Sequence, residues 1–334
     1  MEGERVLALA LNFKRGLNSE EIFTLRERYG SLEEGVEREG IELKREIERA
    51  RDEVKRAKEL GVDIAAFFEE AYPKELLIAP DPPVVIYLRG KVPKGVKVSI
   101  VGSRRCSEYG RRVAYQLSRY LAEGGVTVVS GLAFGVDTAA HEGALRGGKT
   151  VAVLGSSLDS IYPAANRELA RRIANSGAVI SEFPLGVGTR REFFPRRNRL
   201  ISALGEVLVV VEAQERSGTF ITVDYALKMG KEVFVVPGNI DSPFSKGTNR
   251  LISDGARPLL EFDEILRAVG VDGLSRGAPS PELPELYKLL KGAPMSADEI
   301  AQRLGLEVSR VNSALTQLEV QGLVVREGLK WSAL

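Results

Sequence analysis

The chain is poor in the residues that staple, ligate metals or enter membranes. Cys106 is its one cysteine, so no disulfide can form within it. That usage fits a reducing compartment, and a cytoplasmic location is expected. His141 is its one histidine, which leaves any zinc site to carboxylates and sets metal catalysis aside. No apolar run approaches a membrane span. The opening stretch MEGERVLALALNFKRG has too short a run for a signal or an anchor. Charge of one sign is lacking as well. With 47 Lys and Arg against 46 Asp and Glu, the formal charge is +1, which excludes a simple polybasic binder. Glutamine, methionine and cysteine are scarce while Glu, Arg and Lys abound, a bias of heat-adapted proteins. The length of 334 residues suffices for two or three domains.

What is present is ordered along the chain. Residues 1–75 read as a small helical module with solvated, mixed-charge faces, and Gly16, Gly30, Gly40 and Gly61 mark its turns. Pro80, Pro82 and Pro83 form a rigid boundary. Apolar strands then recur at 96–102, 126–131, 150–155, 178–182, 206–213 and 232–238, with helical segments such as 109–125 and 217–230 between them. Continuous Val/Ile runs without polar alternation are the mark of a parallel sheet covered on both faces. The fold class expected is therefore α/β, a Rossmann-like doubly wound and mainly parallel sheet over 76–270. Residues 271–284, VDGLSRGAPSPELP, read as a linker. In the tail, 285–334, Ser296 and Glu299 form a capping-box pattern, Gly305 makes a turn, and a second helix runs from Ser309 to Gln321. Gly322 ends that helix and VVREGLKW closes a hairpin, the order of a winged helix.

The chemistry lies in the loops at the strand ends, where ligands of open parallel sheets bind. The first strand runs into Gly102-Ser103-Arg104, a turn whose amides suit an anion and whose arginine offers a planar fork to phosphate. A dinucleotide enzyme is disfavoured, because no G-x-G-x-x-G follows that strand. A serine hydrolase is disfavoured, because no G-x-S-x-G elbow occurs and Ser130, Asp137 and His141 crowd one short segment. A nucleotide phosphoribohydrolase of the lysine-decarboxylase-like group keeps a Gly-Thr turn, as Ser217-Gly218-Thr219 does here. Ile221 and Thr222 stand where its carboxylates should be, so the phosphate cradle survives without the general acid/base. That enzyme class is the alternative to nucleic-acid binding. From Ser103 to Arg199 there are 15 Lys and Arg against 8 Asp and Glu. Within it, Arg190-Arg191-Glu192-Phe193-Phe194-Pro195-Arg196-Arg197-Asn198-Arg199 interleaves cations with rings, as single-strand binders do. One of the two phenylalanines is expected to be buried and the other available. Ser130 and Gly131, after the second strand, and Asn198 join the candidate set.

The motifs GSRRCSEYG, SGLAFGVDTAAH, LDSIYPAAN, SEFPLG, FFPRRNRLISAL, SGTFITVDYAL, VPGNID and KGTNRLISDGA occur in this order over roughly 75–265. Together they resemble the DNA-processing protein A family (DprA, also called Smf). The N-terminal helices look like the sterile-alpha-motif or helix-hairpin-helix-like module of such proteins. The resemblance implies a non-enzymatic protein of natural transformation, without cofactor, that binds incoming single-stranded DNA, protects it and loads RecA recombinase onto it. It also implies a homodimer formed through the Rossmann-like domain. By position, Gly102, Ser103 and Arg104 would hold a DNA phosphate. Arg190 or Arg191, Phe193, Arg196 and Arg199 would line the DNA groove, and Ser217-Gly218-Thr219 would complete the pocket.

The tail adds no cationic face. Residues 284–334 hold six bases and six acids, and the second helix carries only Arg310 and Glu319. A duplex reader presents a basic surface, so a protein-contact or accessory role is expected of the wing. Deleting 275–334 should leave single-strand affinity largely intact in a titration. A folded truncation that binds ten-fold more weakly, a loss of about 1.4 kcal/mol, would make the tail a DNA-binding module.

Overall fold

The computed structural model describes residues 2–271, 283–320, 323–328 and 330–333. The chain divides into two compact units, the first ending at Val271. The first begins with α1 (Glu2–Phe13), α2 (Ser19–Tyr29), α3 (Leu32–Arg38) and α4 (Lys44–Glu59). Gly16, Gly30, Gly40 and Gly61 all take positive φ, as their turn positions require. In α4, Ile47, Ala50, Val54 and Ala57 recur at helical spacing and turn inward, as does Glu53, which accepts the Leu185 N–H at 2.6 Å, while Glu48, Arg51, Asp52 and Lys55 face water.

The expected boundary near residue 75 is not a seam. β1 (Asp63–Ala66) pairs antiparallel with β2 (Val85–Gly90), and β2 pairs antiparallel with β6 (Ala178–Ser181). Ala8, Leu11 and Ile22 share one core with Tyr87, Leu154 and Ile173. The helices of 1–75 thus cover one side of the sheet edge. Asp63-Ile64-Ala65-Ala66 is too short and too weakly β-branched to announce itself as a strand.

The other strands are β3 (Lys97–Val101), β4 (Thr127–Ser130), β5 (Thr150–Val153), β7 (Val207–Val210), β8 (Val233–Val235) and β9 (Arg257–Pro258). The nine-stranded sheet has the order β1-β2-β6-β5-β4-β3-β7-β8-β9, parallel from β6 to β9. β3, β4, β5 and β6 proceed in one direction and β7, β8 and β9 in the other. The switch point is the β3–β7 pair, where a crevice opens at the carboxyl ends. The covering helices are α5 (Glu108–Glu123), α6 (Val136–Gly147), α7 (Arg167–Ser176), α8 (Phe193–Leu204), α9 (Thr219–Lys228), α10 (Lys246–Ser253) and α11 (Asp263–Ala268). Six of the strands are the six expected; β1, β2 and β9 were not.

The second unit holds α12 (Leu283–Gly292), β10 (Met295–Ser296), α13 (Ala297–Leu304), α14 (Val308–Val320), β11 (Val324–Glu327) and β12 (Lys330–Ala333). Its sheet order is β10-β12-β11. The Ser296–Glu299 capping box forms, and Gly305 closes α13 in the left-handed region. Leu286, Ile300, Leu315 and Trp331 form its core. The expected linker is shortened at its end, because Leu283 and Pro284 open α12. Its residues 272–282, and the helix-ending Gly322, lie outside the described residues. Among the described residues no helix is long and apolar enough to cross a membrane.

The one histidine is structural. His141 on α6 is fully buried, with Nδ1 2.8 Å from the Thr150 hydroxyl of β5. Burial, with Arg197 nearby, pulls its pKa down to about 3. The unfolded chain, near 6.5, therefore takes up this proton first as pH falls. The contribution of neutral His141 is intact above about pH 6.5 and drains away toward pH 3, by up to about 5 kcal/mol. In melts from pH 7 to pH 4, the stability lead of the wild type over His141→Gln should shrink steadily. A constant lead would show that the ring does not resist protonation.

Candidate nucleic-acid interface

Three chain segments meet at the switch point. The first follows β3. The Ser103 N–H donates to the Glu212 carbonyl at 2.7 Å, and the Ser103 hydroxyl closes a turn with the Arg105 carbonyl at 2.7 Å. The Glu212 carboxylate accepts from the Ser107 N–H at 2.8 Å and hydroxyl at 2.5 Å, and Ser107 caps α5. The Ser103 amide is thus engaged within the protein rather than presented to an anion. The turn instead aims Arg104, whose guanidinium lies 4.7 Å from the centroid of the Phe194 ring. Glu108, the nearby acid that could have captured Arg104, faces Arg111.

The second segment follows β7. Ser217 accepts the Thr219 N–H at 3.2 Å and donates to the Thr219 hydroxyl at 2.8 Å, which opens α9 with Gly218 exposed at its start. This end of a ten-residue helix carries the positive pole of its dipole. The third segment leads into α8. It brings exposed Arg190 and Arg191, followed by Phe194, whose ring lies 5.7 Å from that of the half-exposed Tyr162. These segments enclose a groove of about 960 Å³, lined by Gly102 to Arg105, Tyr162, Arg190, Arg191, Phe194, Arg197, Asn198 and Ser217 to Thr219.

Arg197 forms the floor. It is 3% exposed and donates to the Gly131 carbonyl at 2.6 Å, to the Val153 carbonyl and to the Asn198 side chain at 3.1 Å. Burial draws its pKa down to about 10, against the pull of Asp137. Asp137 is buried, accepts the Gly131 and Ala133 N–H groups at 3.2 and 3.3 Å, and has its pKa pushed up by burial. A side chain at Gly131 would come 2.6 Å from the Arg197 guanidinium, which accounts for the glycine.

The helix sorts the arginine-aromatic run into two faces. Phe194, Arg197, Asn198 and Ile201, at i, i+3, i+4 and i+7, line the groove. Phe193, Arg196 and Arg199, expected there, lie on the other face. The Phe193 ring stacks on buried Phe183 at 4.1 Å. Arg199 is 3% exposed and donates to Glu182 at 2.6 Å. Arg196, though exposed, reaches the same carboxylate at 3.1 Å and Asp81 at 3.7 Å. Ser130 is also withdrawn: it is fully buried and donates to the Ile100 carbonyl at 2.6 Å. Gly131 serves the floor. Of the candidate residues, Gly102, Ser103, Arg104, Arg190, Arg191, Asn198, Ser217, Gly218 and Thr219 are brought together. Phe194, Tyr162, Arg105 and Arg197 were missed, and the helical spacing from Phe194 was the signal that could have found two of them.

A family model described as DNA recombination-mediator protein A matches residues 63–270, and one described as DprA winged helix domain matches 274–328. The chain belongs to the DprA family. The Smf protein of Escherichia coli is 38% identical over 272 residues, covering 76% of this chain and 73% of that protein. The DNA processing protein DprA of Streptococcus pneumoniae is 40% identical over 204 residues, covering 60% and 72%. A solved structure of DprA from S. pneumoniae covers 80% of this chain and 98% of its own, with 30% identity and a TM-score of 0.66. Another, described as showing the single-stranded DNA binding mode of DprA from Helicobacter pylori, covers 62% and 94%, with 33% identity and a TM-score of 0.56.

Two variants test the protein-facing side of α8, and a third tests the groove. Arg199→Ala removes the buried partner of Glu182 and leaves it Arg196 alone, so it should lower stability, by less than the about 3–5 kcal/mol that loss of every partner would cost. Phe193→Ala should cost stability through the lost Phe183 stack. Arg104→Ala should melt like the wild type. Denaturant titrations check all three.

Proposed function

We propose that this protein binds single-stranded DNA without regard to sequence, in the groove at the β3–β7 switch point. One observation carries the reading: the Arg104 guanidinium lies on the Phe194 ring, inside a groove that also bears Arg190, Arg191 and the start of α9. Cations at such a site follow phosphates, and a ring beside them offers a stacking face to any base. Sequence independence follows, because neither contact reads a base edge. The H. pylori relative, described by its single-strand binding mode, supports a single strand as the ligand.

Binding proceeds without turnover. Ile221 and Thr222 line the groove where the phosphoribohydrolase reading needs carboxylates. The carboxylate at the floor, Asp137, is buried and accepts two backbone N–H groups. A strand held along this groove is shielded from nucleases. In keeping with a family model described as a DNA recombination mediator, the protein then passes the strand to RecA in natural transformation. It acts in the cytoplasm as a homodimer formed through the Rossmann-like domain.

Fluorescence anisotropy with a labelled oligothymidylate across a salt series tests the reading. Arg104→Ala should weaken binding and reduce the salt slope by about 0.7, one phosphate contact on a single strand. Phe194→Ala should lose about 1–3 kcal/mol with the slope unchanged, since a ring releases no counterion. Native affinity in both folded variants would place the strand elsewhere. Release of base from nucleoside monophosphates, abolished by a groove substitution, would replace binding by catalysis.

A further inference from the structure

Beside the groove, the β4–α6 loop holds a ring that the reading above does not use. Phe134 is 48% exposed. The ring contacts of the groove run through Phe194, and among the described residues none is made by Phe134. An apolar ring in water on a floppy loop would need no account. This loop is pinned at almost every residue. Asp137 accepts the N–H groups on both sides of Leu132. Asn166 donates to the Leu132 carbonyl and Thr138 to the Ala133 carbonyl, at 2.9 and 2.7 Å. Arg197 holds the Gly131 carbonyl.

Two features show that the pinning is imposed against local preference. Leu132 has φ +58°, a conformation that branched side chains rarely adopt, and its side chain is wholly buried. Gly135 has φ +77°, and an added side chain there would strike the Arg104 carbonyl at 2.7 Å. The Val136 N–H donates to the Ser103 carbonyl at 3.2 Å. Ala133, on the near side of Phe134, lines the groove. The chain before Phe134 is therefore groove wall, and the chain after it is docked on the Ser103–Arg104 turn.

We propose that Phe134 is a second stacking platform, which receives a base of the strand next to the nucleotide held at Arg104 and Phe194. The inference rests on the single-strand reading of the groove. A nucleobase is the occupant the surroundings favour. The exposed Arg104 and Arg105, on the turn against which Gly135 and Val136 pack, supply charge for the phosphates that flank a stacked base, and a fixed ring spends little entropy on capture.

The test is anisotropy with an oligothymidylate of about ten nucleotides, within the usual span of single-strand sites, and with a matched abasic strand. Phe134→Ala and Phe134→Leu should each weaken oligothymidylate binding about ten-fold, with the salt slope unchanged. Phe134→Trp should restore it, and on the abasic strand all variants should match the wild type. In a Trp331→Phe background, emission from Phe134→Trp should be quenched when the strand binds. Phe134→Ala at wild-type affinity while Phe194→Ala is weakened, or unquenched emission on a bound strand, overturns the platform alone. Wild-type affinity in Phe194→Ala, Arg104→Ala and Phe134→Ala together overturns the groove reading and the platform with it.

Discussion

A guanidinium buried at the carboxyl edge of the sheet ties this site together. Arg197 comes from α8, yet it donates to a carbonyl after β4 and to one at the end of β5. A charge in such a place costs several kcal/mol unless it is paired and hydrogen-bonded. Asp137 supplies the opposite charge and ties down the same loop by two N–H bonds. The two strand-end loops and the helix are therefore held in one arrangement. That arrangement sets the Phe194 ring under Arg104 and leaves Arg190 and Arg191 at the rim. A groove fixed in advance loses little entropy when a flexible strand enters it.

The same helix carries a second ion pair with a different role. Arg199 and Glu182, each almost fully buried, join α8 to the end of β6 on the side away from the groove. Arg196 adds a second cation to that carboxylate. One α-helix thus turns a compact run of arginines and rings into two surfaces, one lining the groove and one meeting the protein. Positive charge counted along the sequence overstates what the surface presents, because two of the five arginines in the run are buried.

Much of the fold was legible for a physical reason. Parallel strands buried on both faces leave continuous Val/Ile runs, and six of them appear where the sheet has β3 to β8. The tail was legible through its caps, since Ser296, Glu299 and Gly305 each perform a local task that few other residues perform. The strands without that mark were hidden: β1 is four residues rich in alanine, and β9 is two residues long. The site was legible as a set of loops but not as a surface. Ser103 and Ser130 have the right chemistry, yet their hydroxyls serve neighbouring carbonyls, a demand set by burial that composition does not reveal. Phe193 and Phe194 are equivalent in composition. Only the start of α8 at Phe193 decides which ring faces the groove.

The most direct measurement is photocross-linking of a single strand that carries 4-thiothymidine at successive positions, with the attached residues located by mass spectrometry. Adducts at Phe194 and Tyr162, lost on competition with unlabelled single strand, are the expected result. Adducts confined to the winged helix or to α1–α4, with none around the β3–β7 crevice, would contradict the assignment of the groove.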